Sequence, residues 1–145
     1  MGYSVEKAVA SDLPRIESML KEARLPINGV APLIESFSVV REEGQIVAAG
    51  VIEPLQGVGL LRSVVVDPEW QGKGLGRVLV ESLSLGASQD LYLLTESAPE
   101  FFARLGFEHV ERSHAPETVR QSEEYCSICA ESAALMRRSV DPNND

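Results

Sequence analysis

Apolar positions along the chain repeat with two different periods, which predicts strands and helices that alternate through one domain. A period of two, or a short continuous apolar run, predicts strands over residues 3–10, 37–41, 45–53, 60–66, 91–95, 107–112 and 123–128. A period of three to four predicts helices over residues 13–23, 32–36, 75–86, 99–105 and 131–138. The order of these elements is that of a single mixed α/β domain over residues 1–145.

Turn signals separate these elements. Residues 42–44 (Glu-Glu-Gly) lie between two predicted strands and indicate a hairpin. Residues 60–66 are the most strand-like run, and their β-branched end favours a buried central strand. Asp67-Pro68 ends that strand, and the glycine-rich residues 71–76 lead into a helix whose apolar side chains share one face.

Composition narrows the class of protein without naming a function. The chain has 145 residues, of which 44% are hydrophobic and 24% charged, as expected for a globular domain with its own core. No apolar run reaches the length that spans a bilayer, and the first residues lack the pattern of a signal peptide, so a cytoplasmic location is expected. The net charge of −9 argues against nucleic acid or an anionic membrane as the partner.

The glycine-rich turn is the clearest candidate for chemistry. Such a turn leaves backbone amides unpaired at the start of a helix, where they can bind phosphate. Residues 71–76 read Gln-Gly-Lys-Gly-Leu-Gly, Lys73 and Arg77 add positive charge, and no acidic residue lies between Gln71 and Val80. The spacing of the glycines fits neither the dinucleotide-binding G-x-G-x-x-G pattern nor the P-loop.

The pattern that fits is Q/R-x-x-G-x-G/A, and with its flanks it resembles the GNAT superfamily of acyl-CoA-dependent N-acetyltransferases. Residues 60–70 are similar to the fourth strand of that family, and residues 101–107 to its late helix and the Gly-Phe strand that follows. Shorter motifs resemble the glutamate N-acetylating enzymes, at residues 51–53, 61–63, 93–95 and 101–102. Together with residues 129–133, they also resemble GNAT proteins associated with arsenic-resistance clusters.

This resemblance implies a mixed, mostly antiparallel sheet of six to seven strands flanked by helices, with the fourth and fifth strands splayed apart. It also implies acetyl-CoA as co-substrate and no metal, with the pyrophosphate on the loop amides and the pantetheine arm along the fourth strand. An amide of that strand would meet the oxyanion. The residues it assigns to the cofactor are Val64, Val65, Val66, Gln71, Gly72, Lys73, Gly74, Leu75, Gly76, Arg77 and Phe102. The valines would act through their backbone, because their side chains are expected in the core.

Two charged residues are candidates for substrate chemistry. Family members transfer the acetyl group directly to a neutral amine, so a base that deprotonates the ammonium is useful. Glu53 is the candidate base, and the alternative is a surface glutamate that caps the loop before Pro54. Arg62 interrupts an apolar strand, so it either clamps a substrate carboxylate, forms a structural ion pair with a partner such as Glu53, or lies on a solvated face. The resemblance places Ser63 and Thr95 beside the substrate as well.

No residue is assigned as the general acid. Many family members have a tyrosine four residues before the Gly-Phe pair, and Phe102, which cannot donate a proton, stands there. The remaining candidates are water, Ser97, Tyr92 and Tyr125, unless the acidity of the CoA thiol makes an acid dispensable.

The cysteines and histidines favour structural roles. Cys126 and Cys129 form a single C-x-x-C without a second pair, which predicts neither a disulfide framework nor a zinc site. Buried reduced thiols are expected there, with a soft-metal or arsenical contact as the alternative. His109 and His114 are interpreted as ordinary polar residues.

The leading hypothesis is an N-acetyltransferase that moves acetyl from acetyl-CoA to a small, carboxylate-bearing amine such as an amino acid. Acetylation of a peptide or protein amine is the alternative among enzymes, since an acidic surface suits a basic peptide. A non-catalytic sensor that binds acyl-CoA is the alternative from another class, and Phe102 favours it. The expected partner is a small-molecule amine, and the sequence leaves open whether the chain forms a homodimer.

Overall fold

Seven strands form one sheet in the computed structural model, which describes residues 3–127 and 132–140. The strands are β1 Val5–Lys7, β2 Ser38–Glu42, β3 Gln45–Pro54, β4 Gly59–Val66, β5 Leu91–Thr95, β6 Glu108–Val110 and β7 Ala134–Arg138. Their order across the sheet is β1-β2-β3-β4-β5-β7-β6. Every neighbouring pair is antiparallel except β4 and β5, which are parallel. The predicted mixed, mostly antiparallel sheet is therefore confirmed.

Helices cover both faces of this sheet. They are α1 Leu13–Glu22, α2 Leu75–Leu85, α3 Pro99–Ala103, α4 Glu117–Arg120 and α5 Glu123–Ser127. The hydrophobic core lies on both faces of the sheet, because successive residues of a strand point to opposite faces. On one face α2 buries Leu79 and Leu83 among strand residues such as Ala48. On the opposite face α1 packs on Ala49, and α4 packs on Leu60 through Val119.

The parallel contact between β4 and β5 is short. The two strands pair only at Gly59 with Leu91 and at Leu60 with Tyr92. On its other side, β5 pairs with β7 along its whole length as far as Thr95. The carboxyl-terminal part of β4 is therefore not paired with β5, and the sheet opens into a cleft between them, as the family resemblance implied.

A bulge in β4 lies beside this cleft. The partners of β3 and β4 change register between the pairs Val51–Arg62 and Ala49–Val65. Ser63 within the bulge has φ +61°, a left-handed conformation that is uncommon outside glycine. A bulge leaves one extra residue out of the ladder, so the strand presents backbone groups to the cleft at this point.

The predictions for the last third of the chain were wrong in two elements. Residues 123–128 were expected to form a strand, but Glu123–Ser127 is the helix α5. The sequence does mark the start of this helix, because a serine followed by two glutamates, residues 122–124, is typical of a helix N-terminus. In the structure the Ser122 hydroxyl accepts a hydrogen bond from the Tyr125 amide at 3.1 Å.

The predicted helix over residues 131–138 is instead the strand β7, Ala134–Arg138. Alanine, leucine, methionine and arginine are good helix formers, but here they pair on one side with β5 and on the other with β6. Pairing on both sides outweighs a weak local preference. The strand predicted over residues 107–112 is also shorter, because only Glu108–Val110 pairs with β7.

Candidate active site

The glycine-rich loop ends at the amino terminus of α2 in a conformation that exposes backbone amides. Gly72 and Gly74 have φ +82° and +85°, values that favour glycine over any residue with a side chain. No side chain caps the helix, and its first hydrogen bond runs from the Val78 amide to the Gly74 carbonyl at 3.1 Å. The amides of residues 75–77 therefore precede the first helical bond and are available to an anion.

Contacts from the end of β4 hold this loop in place. The Gln71 side-chain amide donates to the Val66 carbonyl at 3.1 Å. Asp67 accepts the Glu69 amide at 2.9 Å and pairs with Arg15 at 2.7 Å. These two partners, the backbone amide first, hold the pKa of Asp67 below its usual value. The base of the loop is thus tied both to β4 and to α1.

The cations that the sequence placed at the loop lie on its outer side. Lys73 Nζ stands 5.9 Å from the centre of the Trp70 ring, and Arg77 Nε forms an exposed ion pair with Glu81 at 3.1 Å. The helix start packs closely on α3, since a Cβ at Gly76 would lie 3.2 Å from Phe101 Cζ. In the part of the chain that the structure describes, no atom outside the loop lies within 4 Å of where a Cβ would stand at Gly72 or Gly74, so a ligand can approach the backbone there.

The other residues assigned to the cofactor line or support the cleft. Val64 and Val66 are half-buried and pack against the α2 cluster, whereas Val65 is buried on the α1 side. Phe102 is buried, with its ring centre 4.9 Å from that of Phe101 and 5.9 Å from that of Phe107. Phe102 therefore belongs to an aromatic cluster beneath the loop.

The groups considered as general acids are not gathered at one point. Tyr92 is buried in the cluster under α4, and Ser97 is exposed. The Tyr125 ring is half-buried, and the Arg112 guanidinium lies 5.2 Å from its centre. Thr95 lies on β5, where its hydroxyl accepts the Ala98 amide at 3.1 Å and supports the start of α3.

Arg62, Glu53 and Ser63 meet at the bulge. The Arg62 side chain is completely buried, and its Nη1 donates to Glu53 Oε1 at 3.1 Å. Its Nη2 donates to the Asn28 carbonyl at 2.5 Å, and its Nε–H to the Ser63 hydroxyl at 3.4 Å. The ion pair between Arg62 and Glu53, one of the alternatives raised from the sequence, is present. The guanidinium also fastens the connection between α1 and β2 to the sheet.

Glu124, on α5, completes this charged cluster, and the sequence did not identify it. Its Oε1 lies 3.5 Å from Arg62 Nε and has no hydrogen-bond partner among the residues that the structure describes, although only 4% of Glu124 is exposed. Burial, with a smaller contribution from the charge of Glu53, raises the pKa of Glu124 to about 7 despite the lowering effect of Arg62. Because residues 123–128 were predicted as a strand, nothing in the pattern placed this carboxyl near Arg62. The capping serine before α5 could have indicated the helix, but not what its glutamate contacts.

Residues 34–109 match the family model described as an acetyltransferase (GNAT) domain. The chain belongs to the GNAT acetyltransferase family. It is thus an acetyl-CoA-dependent N-acetyltransferase, as the loop and its flanks predicted.

Relatives within this family are named amino-acid acetyltransferases. One from Mycobacterium tuberculosis is 30% identical over 136 residues, which cover 84% of this chain and 76% of that protein. Another from Pseudomonas putida is 35% identical over 80 residues, 51% of this chain and 18% of that protein. A third from Escherichia coli is 26% identical over 98 residues, 63% of this chain and 22% of that protein. The chain therefore matches about a fifth of the length of the last two.

Solved GNAT structures share the fold. Rv2747 from Mycobacterium tuberculosis, solved in complex with CoA, superposes with a TM-score of 0.81 at 23% identity, covering 95% of this chain and 99% of the other. N-acetylglutamate synthase from Neisseria gonorrhoeae, complexed with coenzyme A and N-acetyl-glutamate, also has a TM-score of 0.81, at 22% identity. That match covers 97% of this chain and 36% of the other.

The GNAT loop of this chain fits the pyrophosphate of acetyl-CoA. The fit rests on the unpaired amides of residues 75–77, the open approach at Gly72 and Gly74, and the cations Lys73 and Arg77. Charge-assisted bonds from backbone amides are strong, and the helix dipole adds to them. An acidic protein can therefore hold a polyanion at this one place.

Within residues 3–127 and 132–140, no three His, Cys, Asp or Glu side chains group to hold a metal ion. Cys126 is exposed and free, and Cys129 lies outside the described residues. None of the helices in that part of the chain is both long and apolar enough to cross a membrane.

A cavity of about 470 Å³ lies away from this cleft, near the end of α2, with Lys7, Ser38, Ile52 and Gln89 in its lining.

The buried carboxyl of Glu124 predicts an unusual dependence of stability on pH. Because its pKa is raised from 4.5 to about 7, the folded protein keeps a proton that the unfolded chain releases. This contribution is complete below pH 4.5 and is lost as the pH rises to about 7, with a fall in the free energy of unfolding on the order of 3 kcal/mol. Urea denaturation at a series of pH values measures the fall.

Glu124→Gln should remove most of this decline between pH 4.5 and 7. Asp12 and Asp67 affect stability in a different pH range. Their pKa values are lowered, that of Asp12 mainly by the hydrogen bond from Arg41, so the stabilisation that they contribute is lost only on acidification. Equal declines in the wild type and Glu124→Gln would contradict the assignment.

Proposed function

We propose that this chain acetylates the amine of a small, carboxylate-bearing substrate such as an amino acid, with acetyl-CoA as the donor. The observation that carries the proposal is the ion pair between Arg62 and Glu53, 3.1 Å apart at the bulge beside the cleft. It places charges of both signs next to the strand edge, and an amino acid carries charges of both signs. The names of the amino-acid acetyltransferase relatives support this substrate class.

The cleft supplies orientation and charge stabilisation. The loop amides hold the pyrophosphate, and the unpaired edge of β4 orients the pantetheine arm, so that the thioester lies near residues 63–66. Holding the two reactants in line is worth several kcal/mol of the barrier. The bulge leaves a backbone amide outside the ladder, and we propose that an amide of this strand stabilises the oxyanion that forms when the amine attacks.

Glu53 is the proposed base for the ammonium. Its side chain is 21% exposed, so a substrate can reach it, and the bond from Arg62 to Oε1 fixes its orientation. Removal of one proton from the ammonium frees the nitrogen lone pair for attack on the thioester carbonyl. The second amine proton leaves as the amide forms, and water is the carrier we propose between it and the leaving thiolate.

Glu53→Gln is expected to lower kcat with the best amine about 100-fold, because general base catalysis is typically worth that much. The KM for acetyl-CoA should change little, since the loop is untouched. Steady-state kinetics with both substrates varied measures this, and Glu108→Gln, an exposed glutamate on β6, is the control. An unchanged kcat in Glu53→Gln would reduce Glu53 to a structural partner of Arg62.

A panel of amines tests the substrate class. It should contain L-glutamate, L-glutamine and other amino acids, amines of matched length that lack the α-carboxylate, and basic peptides. The proposal predicts the highest kcat/KM with a free amino acid and a large loss with its decarboxylated counterpart. Faster acetylation of peptides would favour the peptide alternative, and binding of acetyl-CoA without turnover of any amine would favour a sensor.

A further inference from the structure

Glu124 is a buried carboxyl that the reaction described so far does not use. It lies in the first turn of α5, and its side chain reaches the Arg62 guanidinium on the neighbouring sheet. Within residues 3–127 and 132–140, no group hydrogen-bonds its Oε1, because the Nε–H of Arg62 is directed to the Ser63 hydroxyl. Buried polar atoms are nearly always bonded, and leaving one unpaired is costly. A buried carboxylate oxygen with an ion contact of 3.5 Å to Arg62 as its only described polar contact can therefore accept a further donor.

The charges around Glu124 do not balance. The groups that face it are Arg62 from β4, Glu53 from β3, and the connection between α1 and β2, which contributes the Asn28 carbonyl and Gly29. On its own helix Glu123 is exposed and packs near Gly29. Among these described groups a buried carboxyl, Glu124, and a partly exposed one, Glu53, share one guanidinium, and Glu53 has the shorter contact. The cluster has room for one more positive charge or one proton.

We propose that Glu124 is a second proton-accepting residue of the acetyl transfer, which receives the ammonium group of the substrate and takes its proton. This inference rests on the proposed function and adds a residue to it. The proton moves from R–NH3+ to a Glu124 oxygen, the nitrogen lone pair forms the C–N bond, and the C–S bond breaks with its electron pair on sulfur. One of the two remaining amine protons goes to the thiolate through water, and the other stays on the amide nitrogen. The first proton passes from Glu124 to Glu53, the more exposed carboxylate, and from there to solvent.

The ionisation of Glu124 suits this role. Burial and the nearby Glu53 charge raise its pKa to about 7 despite Arg62, so at neutral pH the carboxylate form is present and binds a proton readily. A base is most effective when its pKa lies near the working pH.

The test compares Glu124→Gln with Glu123→Gln in the dependence of kcat/KM for the best amine on pH, from 5.5 to 9. The wild type should show an ascending limb with an apparent pKa near 7. Glu124→Gln should lose that limb and fall at least about 10-fold on the plateau. Glu123→Gln, which changes the exposed neighbour on the same helix, should follow the wild-type profile. Neither variant should change the Kd of acetyl-CoA.

The outcomes separate this inference from the proposed function. An ascending limb that is unchanged in Glu124→Gln would overturn the inference alone. If the best substrate proves to be an amine without a carboxylate, the proposed substrate class falls, while the profile on that amine still tests Glu124. A wild type that acetylates no amine overturns both. Should Glu124→Gln fail to fold, Glu124→Asp keeps the acid group and should retain the limb at a lower rate, and loss of the limb there would count against the proposal.

Discussion

Gly74→Val is expected to raise the Kd of acetyl-CoA about 100-fold. Gly74 has φ +85°, which a β-branched residue does not adopt without strain, so valine should rotate the peptide groups on both sides of it. Hydrogen bonds to charged groups contribute roughly 1.5–3 kcal/mol each, and the loss of two weakens binding by about two orders of magnitude or more. Calorimetric titration with acetyl-CoA measures the change.

Gly44→Val is the matched control for that experiment. Gly44 has φ +81° and lies in the turn between β2 and β3. As at Gly74, no atom of the described residues beyond its chain neighbours lies within 4 Å of a Cβ built on it. The two substitutions should therefore cost similar stability, while only Gly74→Val should change the Kd. Equal Kd values in both variants and the wild type would show that the loop amides do not bind the pyrophosphate.

Arg62→Met is expected to destabilise the folded protein by about 3–5 kcal/mol. The side chain is completely buried, and its removal leaves Glu53, Glu124 and the Asn28 carbonyl without their shared cation. Breaking one side of a buried ion pair is costly because the remaining charge stays buried. Urea denaturation at pH 8, where Glu124 is ionised in the wild type, measures the loss.

A second substitution separates charge from packing in this result. Glu124→Gln in the Arg62→Met background removes one of the buried charges and should recover part of the lost stability, so the two effects are not additive. Arg77→Met is the control, because Arg77 is exposed and its pair with Glu81 should be worth less than about 1 kcal/mol. A loss in Arg62→Met no larger than that in Arg77→Met would contradict the account of the cluster.

Much of the fold was predictable because its signals are local. The hairpin at residues 42–44, the strand before the loop and the helix after it follow from period and turn residues. The prediction of β7 as a helix was wrong because Ala134–Arg138 pairs with two strands that are distant in sequence, and such pairing leaves no signal in the local sequence.

The candidate site also has a part that local sequence predicts and a part that only the folded chain brings together. The glycine-rich loop is a local motif, so the sequence predicts both its residues and the role that we propose for them. The partners of Arg62 come from β3, from α5 and from the connection after α1, and only the folded chain brings them together. The sequence named Glu53 as one partner and missed Glu124, because a carboxyl in a short helix far along the chain carries no signal of what it contacts.

The most direct test of this account is the stoichiometry of transfer. Purified protein is incubated with 13C-labelled acetyl-CoA and the preferred amino acid, and free CoA and labelled N-acetyl amino acid are measured by mass spectrometry in the same samples. The account predicts that both appear at equal rates and that neither forms without the amine. Release of CoA without an N-acetylated product, or product at the rate of the enzyme-free control, would contradict it.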